Sequence, residues 1–93
     1  MKLRWSSRAL LDLQRLADRI AADDKPMAAT AFATELHQAA LLIAQQPLMG
    51  RPGRRHDTRE WIAHRNHLLV YRVLGDEVQI LQLWHTARQP QAR

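Results

Sequence analysis

The sequence predicts a single α+β domain, in which an N-terminal strand leads into a two-helix antiparallel hairpin packed on an antiparallel sheet of three to four strands. Three observations carry this prediction. Two apolar stripes with helical spacing occupy the first half, a segment rich in Pro and Gly follows, and three short strand patterns fill the second half. A chain of 93 residues has room for one hydrophobic core, so residues 1–93 are expected to form one domain.

The first half begins with a strand and a helix. Residues 2–5 alternate in character, which indicates a short strand. Ser6 and Ser7 each have a hydroxyl that accepts hydrogen bonds from the first free N–H groups of a helix, so a helix is predicted from here to about Ala22. Its apolar face consists of Leu13, Leu16, Ala17 and Ile20.

A second helix follows a turn at residues 23–26. This Asp-Asp-Lys-Pro segment ends one helix and starts another, because Pro is tolerated in the first turn of a helix. The new helix is predicted to end before Pro47. Its apolar stripe consists of Phe32, Leu36, Ala39, Ala40 and Ile43. Neither stripe can be buried within the hairpin alone, so both helices are expected to pack on a sheet.

Residues 47–53 contain two Pro and two of the three Gly, and they are predicted to form no regular element. Gly75-Asp76 is predicted to be a tight hairpin turn, because Gly supplies the positive φ that such a turn needs. The three strands predicted after the break are Glu60–His64, Leu68–Leu74 and Glu77–His85. The middle one is apolar at nearly every position, as expected of a central strand covered on both faces.

The last predicted strand has apolar residues on both of its sides. Strict alternation places Val78, Ile80 and Trp84 on one face, and Leu81 and Leu83 on the other. The sequence therefore leaves open which face of the sheet is covered.

The net charge of +5 is unevenly distributed. Residues 1–46 hold six Lys/Arg against five Asp/Glu, an excess of +1, and residues 47–93 hold eight against four, an excess of +4. Twelve of the fourteen cations are Arg, whose planar guanidinium binds carboxylates and phosphates in a bidentate manner. We therefore expect an anionic partner: RNA, DNA or an acidic protein segment. The alternative is that these charges only solvate the surface of the protein.

The absence of Cys excludes a disulfide framework and a thiolate metal site. Charges in the first twenty residues interrupt every apolar run before it reaches signal-peptide or membrane-spanning length. We therefore expect a cytoplasmic protein with no membrane segment. No metal or cofactor is expected either, since no metal-ligand spacing relates the histidines His37, His56, His64, His67 and His85.

Residues from successive predicted strands form a candidate site for phosphate chemistry. Metal-free RNA cleavage requires a base for the 2′-hydroxyl, cations for the charged transition state and an acid for the leaving oxygen. Glu60 or His85 would serve as base or acid, and Arg59, Arg72 or Arg88 as the cationic clamp. The alternative is structural: Arg59 and Glu60 form a pair, and His85 merely ends a strand.

A basic loop precedes these strands. Arg51, Arg54 and Arg55 lie within five residues and suit contacts with phosphates or with an acidic partner. The loop lacks the interleaved aromatic residues typical of proteins that bind single strands, so a solvated loop is the alternative.

The order of these features resembles the RelE/ParE toxins of type II toxin–antitoxin systems, and the resemblance spans almost the whole chain. The segments that carry it are Ala9…Asp12-Leu13, Pro47…Gly50-Arg51-Pro52-Gly53, Thr58-Arg59-Glu60, Leu69-Val70-Tyr71-Arg72-Val73, Val78-Gln79-Ile80-Leu81 and Trp84-His85-Thr86-Ala87-Arg88-Gln89-Pro90.

The resemblance implies a growth-arresting toxin made with a cognate antitoxin, whose C-terminal region wraps and neutralises the toxin, as part of a hetero-oligomer. RelE-like members cleave messenger RNA on the ribosome, whereas ParE-like members poison DNA gyrase without being nucleases. The sequence looks nearer the ParE branch, so a non-enzymatic gyrase inhibitor is expected. Its target- or antitoxin-binding candidates are Arg51, Arg54, Arg55, Arg59, Arg72, His85 and Arg88.

The alternative is a RelE-like, ribosome-dependent endoribonuclease, whose partners are the ribosome and messenger RNA. Some nucleases of this superfamily work with a Glu, an Arg and a His, and Glu60, Arg72 and His85 resemble that set. The chain departs from the nucleases after Arg88, where the tail has no Tyr or Phe for stacking on bases.

Overall fold

The computed structural model describes residues 1–23 and 25–86. The chain forms a strand and two helices followed by four more strands: β1 (Lys2–Trp5), α1 (Ser7–Ala22), α2 (Pro26–Gln45), β2 (Arg51–Pro52), β3 (Arg59–His64), β4 (His67–Leu74) and β5 (Glu77–His85). The predicted helical hairpin is confirmed, and each of the four predicted strands lies within one residue of its expected limits. Gly75 has a φ of 62°, as the predicted hairpin turn requires.

The sheet differs from the prediction in two ways. It has five strands, in the order β1-β5-β4-β3-β2, because Arg51 and Pro52 pair with the start of β3 in a segment that was expected to be irregular. A Pro is tolerated there because β2 is an edge strand. The sheet is also mixed, since β1 is parallel to β5. A parallel pair needs a long connection, and nearly the whole domain lies between these two strands.

The hydrophobic core lies between the sheet and both helices, which cover the same face. Leu36, Ala40 and Ile43 of α2 are completely buried against Tyr71 and Ile80 of the sheet. By length and composition alone, α2 is also apolar enough to cross a membrane. Its position in the core accounts for that composition, because one side of α2 supplies most of the buried helical residues.

A β-bulge at Leu81 sets the faces of β5. The pairing of β4 with β5 shifts so that Leu81 has no partner, and the alternation of side chains inverts beyond it. Leu83 therefore shares the helix-covered face with Val78 and Ile80 and is only 3% exposed, whereas Trp84 lies on the opposite face. The expected grouping of Leu83 with Leu81, and of Trp84 with Val78, was wrong.

Polar contacts fix helix α1 to β5 near this bulge. The Asp12 carboxylate accepts a hydrogen bond of 3.0 Å from the backbone N–H of Leu83. The Ser6 hydroxyl caps the helix by accepting from the N–H of Ala9 at 3.0 Å, and it donates to the Leu81 carbonyl at 2.9 Å. The segment from Ser6 to Asp12 thus positions the helical layer on the sheet.

Candidate functional site

The sheet face opposite the helices is called the open face here. Strand pairing places on it the residues that alternate with those facing the helices, namely Lys2, Arg4, Arg51, Glu60, Ile62, Leu68, Val70, Arg72, Leu74, Glu77, Gln79, Gln82 and Trp84. The basic loop, residues 50–56, borders this face. Most of the residues that the sequence suggested as functional therefore lie on one side of the molecule.

A row of hydrogen bonds crosses the open face from β1 to β4. The Glu77 carboxylate accepts from the Gln79 amide at 2.7 Å and from Arg4 at 3.1 Å. These two hydrogen bonds lower the pKa of Glu77, the bond from Gln79 contributing most. The Gln79 oxygen in turn accepts from Nε of Arg72 at 2.8 Å. Arg72 is held in position by a neutral amide, so its own charge is not cancelled by that contact.

Glu60 anchors the basic loop to the sheet. Its carboxylate is only 4% exposed, and it accepts from the Arg51 guanidinium at 3.3 Å and from the backbone N–H of Arg54 at 3.2 Å. Arg59 and Glu60 do not form the structural pair that was the alternative at the sequence level, because adjacent strand residues point to opposite faces. The Glu60 carboxylate is therefore committed to holding the loop.

The loop folds over part of the open face. The Arg54 guanidinium lies 5.4 Å from the centroid of the Trp84 ring, in a cation–π arrangement. Leu68 is 1% exposed and Val70 is 3% exposed beneath this layer, although both belong to the open face. The first half of the central strand is thus covered on both faces, as predicted. At its far end Arg72 is exposed, so the expectation of a strand covered on both faces was wrong there.

Tyr71 and Arg59 hold the base of the loop from the helix side of the sheet. The buried Tyr71 hydroxyl donates to the Pro47 carbonyl at 2.8 Å and accepts from the Gly50 N–H at 2.9 Å. Burial raises the pKa of Tyr71, against smaller opposing effects of the Gly50 hydrogen bond and the Arg59 charge. Arg59 donates to the carbonyls of Leu48 and Gly50 at 3.3 and 2.7 Å. A cation predicted to clamp a phosphate therefore supports a backbone turn.

No role for the Tyr71 side chain was predicted from the sequence. The signal that was available is the single Tyr of the chain, which lies within a largely aliphatic central strand, since a buried phenol requires a hydrogen-bond partner. That partner was not predictable, because it is a turn more than twenty residues away in the chain.

The structure does not bring together Glu60, Arg72 and His85, the residues of the nuclease-like set. Glu60 and Arg72 lie on the open face, but the bulge in β5 turns His85 to the helix-covered face. There the His85 ring centroid lies 4.8 Å from that of His67, which packs 4.6 Å from Phe32. Unbroken alternation along β5 would have placed His85 on the open face with Arg72.

The histidines at this end of the sheet form a packed cluster. His67 is 7% exposed, and its Nδ1 lies 2.7 Å from the Arg65 carbonyl. Burial is the main cause of a lowered pKa at His67, with smaller contributions from His85 and His64. His64 in turn lies 3.3 Å from the Glu35 carboxylate of α2. Within residues 1–23 and 25–86, no group of three His, Cys, Asp or Glu side chains has the geometry to hold a metal ion.

The chain matches a known family of proteins. The family model for the ParE toxin of the type II toxin–antitoxin system parDE matches residues 3–90. The chain belongs to the ParE toxin family. The expected membership of the RelE/ParE superfamily, nearer its ParE branch, is thereby confirmed.

Two known proteins are similar to this ParE-type toxin. The candidate toxin Y4kP of Sinorhizobium fredii (strain NBRC 101917 / NGR234) is 36% identical over 89 residues, which cover 95% of this chain and 91% of that protein. A solved structure of a chromosomal ParDE toxin–antitoxin system from P. aeruginosa contains a chain with a TM-score of 0.80 and 24% identity. The match covers 89% of this chain and 92% of that one, and it confirms two helices packed on one sheet.

The remaining candidate residues of the ParE-type toxin occupy the basic loop and the tail. The Arg51 side chain is 61% exposed and lies beside the buried Glu60. Arg54 and Arg55 are exposed on the loop. Arg88 lies outside the described residues. The binding candidates whose place is described therefore concentrate on the open face and its loop, with the exception of Arg59 and His85, which lie on the helix side of the sheet.

Proposed function

We propose that this ParE-type toxin inhibits DNA gyrase in the cytoplasm, arrests growth, and is neutralised by a cognate antitoxin. The observation that carries the proposal is the match of the ParE toxin family over residues 3–90. The toxin then acts by binding its target and performs no chemistry of its own.

The placement of the nuclease-like set supports this choice over the messenger RNA endonuclease. A base and an acid must lie within hydrogen-bond reach of one phosphodiester to cleave RNA without a metal. Glu60 is buried and accepts hydrogen bonds from the loop, and His85 lies on the other face of the sheet from Arg72. These three side chains lack a common phosphate position.

An acidic antitoxin is the partner that fits the charge of the chain. The excess of +4 lies in residues 47–93, which supply the basic loop and most of the open face. Complementary charge accelerates association and orients the partner. A short neighbouring reading frame, with a DNA-binding N-terminus and an acidic helical C-terminus, is the expected genomic observation.

Two assays on the purified toxin test the target. We expect inhibited supercoiling, or trapping of cleaved plasmid, in a reaction with DNA gyrase, and unaffected translation in vitro. Unaffected supercoiling together with codon-dependent cuts in ribosome-bound messages would establish the nuclease function in its place. The His85→Ala variant serves as a control, because a gyrase inhibitor that retains its fold does not need an imidazole as acid or base.

A further inference from the structure

Two neighbouring cavities share one arginine, Arg72, which lies on the open face. The larger, of about 340 Å³, lies where β3 begins and β4 ends, and its walls include Arg59, Arg72, Leu48 and Leu74. The smaller, of about 270 Å³, lies where β1, β5 and β4 meet, and Arg72 separates it from the first. The side chain of Arg72 is therefore accessible from both cavities.

The charges of the arginines around these cavities are not equally compensated. Arg4, in the smaller cavity, lies 3.1 Å from the Glu77 carboxylate. Arg59 donates to backbone carbonyls and Arg72 to the amide of Gln79, and within the described part of the chain neither has a carboxylate within ion-pair distance. The acid at the rim, Asp57, lies 3.3 Å from His56 in a pair that is well exposed.

The walls of the larger cavity also carry exposed apolar side chains. Leu48 is 70% exposed and Leu74 is 57% exposed, and both flank the two arginines. Exposed leucines beside uncompensated arginines complement a ligand that carries a negative charge next to apolar groups. A carboxylate side chain with an aliphatic neighbour has this combination.

We propose that the larger cavity binds a carboxylate of an acidic antitoxin segment, in which apolar residues flank the carboxylate. The segment lies extended across both cavities, and Arg72 is its central contact. This inference rests on the antitoxin part of the proposed function. A peptide is favoured over a nucleic acid because Leu48 and Leu74 offer apolar contacts that phosphates do not use.

The test is a fluorescence anisotropy titration of the full chain with a labelled peptide that alternates Glu and Leu. The comparison probes are a peptide that alternates Glu and Ser and a labelled DNA duplex of similar length. We expect the Glu-Leu peptide to bind tightest, and Arg72→Gln and Leu74→Ser each to weaken its binding by about tenfold, which corresponds to about 1.4 kcal/mol.

The matched control variants are Arg15→Gln and Leu11→Ser on helix α1, which remove the same charge and a similarly exposed leucine from the other side of the domain. Equal weakening by Arg72→Gln and Arg15→Gln would mean that net charge alone drives binding, and it would overturn the proposal. Tighter binding of the duplex than of the Glu-Leu peptide, or no peptide binding, would also overturn it.

Thermal unfolding followed by circular dichroism confirms that each variant is folded. Both Arg72 and Leu74 are exposed, so their variants are expected to retain the fold. The titration contains no gyrase. A wrong target would therefore appear in the supercoiling assay alone, and a wrong antitoxin site in the titration alone.

Discussion

The Tyr71 hydroxyl is the contact whose removal tests how the basic loop is held. Tyr71→Phe deletes one oxygen from a completely buried side chain and leaves the ring in place. The Gly50 N–H loses its acceptor at 2.9 Å and the Pro47 carbonyl loses its donor at 2.8 Å. A buried polar group that loses its partner costs about 1–3 kcal/mol.

The two lost contacts do not contribute equally. The bond from Gly50 is buried, whereas the Pro47 carbonyl is only partly buried and is accessible to a replacement water. We therefore count the first in full and discount the second, which gives a loss of about 2–3 kcal/mol in the free energy of unfolding. In a domain of this size, that loss lowers Tm by roughly 10–20 °C.

Urea denaturation at neutral pH, followed by tryptophan fluorescence, measures the change. The control is Thr30→Val, which removes an exposed hydroxyl that donates to the Pro26 carbonyl at 3.3 Å and is expected to cost less than about 0.5 kcal/mol. If Tyr71→Phe costs no more than this control, the hydroxyl does not hold the loop, and the assignment of Tyr71 as its anchor is wrong.

Three further substitutions or conditions test other contacts. Gly50→Ala would place a Cβ 2.6 Å from the Tyr71 hydroxyl oxygen, so we expect a loss of about 1–3 kcal/mol in urea denaturation; unchanged stability would show that the turn can move away. Asp12→Ala leaves the Leu83 N–H without its acceptor and should lower the free energy of unfolding by about 1–2 kcal/mol. Asp12→Asn keeps an acceptor oxygen and should lower it by less. Equal losses for the two variants would contradict the role of that hydrogen bond. Burial lowers the pKa of His67, so on acidification the unfolded state binds a proton at a higher pH than the folded state does. The contribution of His67 to stability should therefore be complete above pH 6.5 and decrease as the pH falls below it. A His67→Gln variant with the same dependence of stability on pH would refute this cause.

The placement of candidate residues was predictable only in part. Arg72 and the arginines of the basic loop were identified from charge alone, and they lie where the sequence suggested, on or beside one sheet face. The roles of Glu60 and Arg59 were not predictable, because each is defined by contacts with a loop that precedes it in the chain. Residue type indicates what a side chain can bind, but not which partner the fold provides.

The sequence by itself determined the elements of this protein. Apolar spacing, a serine cap and clusters of Pro and Gly are local signals, and they located both helices and four of the five strands. These signals act within a few residues of each other, so they do not depend on how the chain folds back.

The tertiary structure alone decided how those elements meet. Three features of the sheet depend on which strands pair in the folded chain. They are the parallel pairing of β1 with β5, the addition of β2 at the sheet edge and the bulge at Leu81. One extra residue in β5 moved Leu83 into the core and His85 away from Arg72. Side chains alternate with a period of two, so a shift of one residue inverts every face beyond it, and no local pattern specifies where that shift occurs.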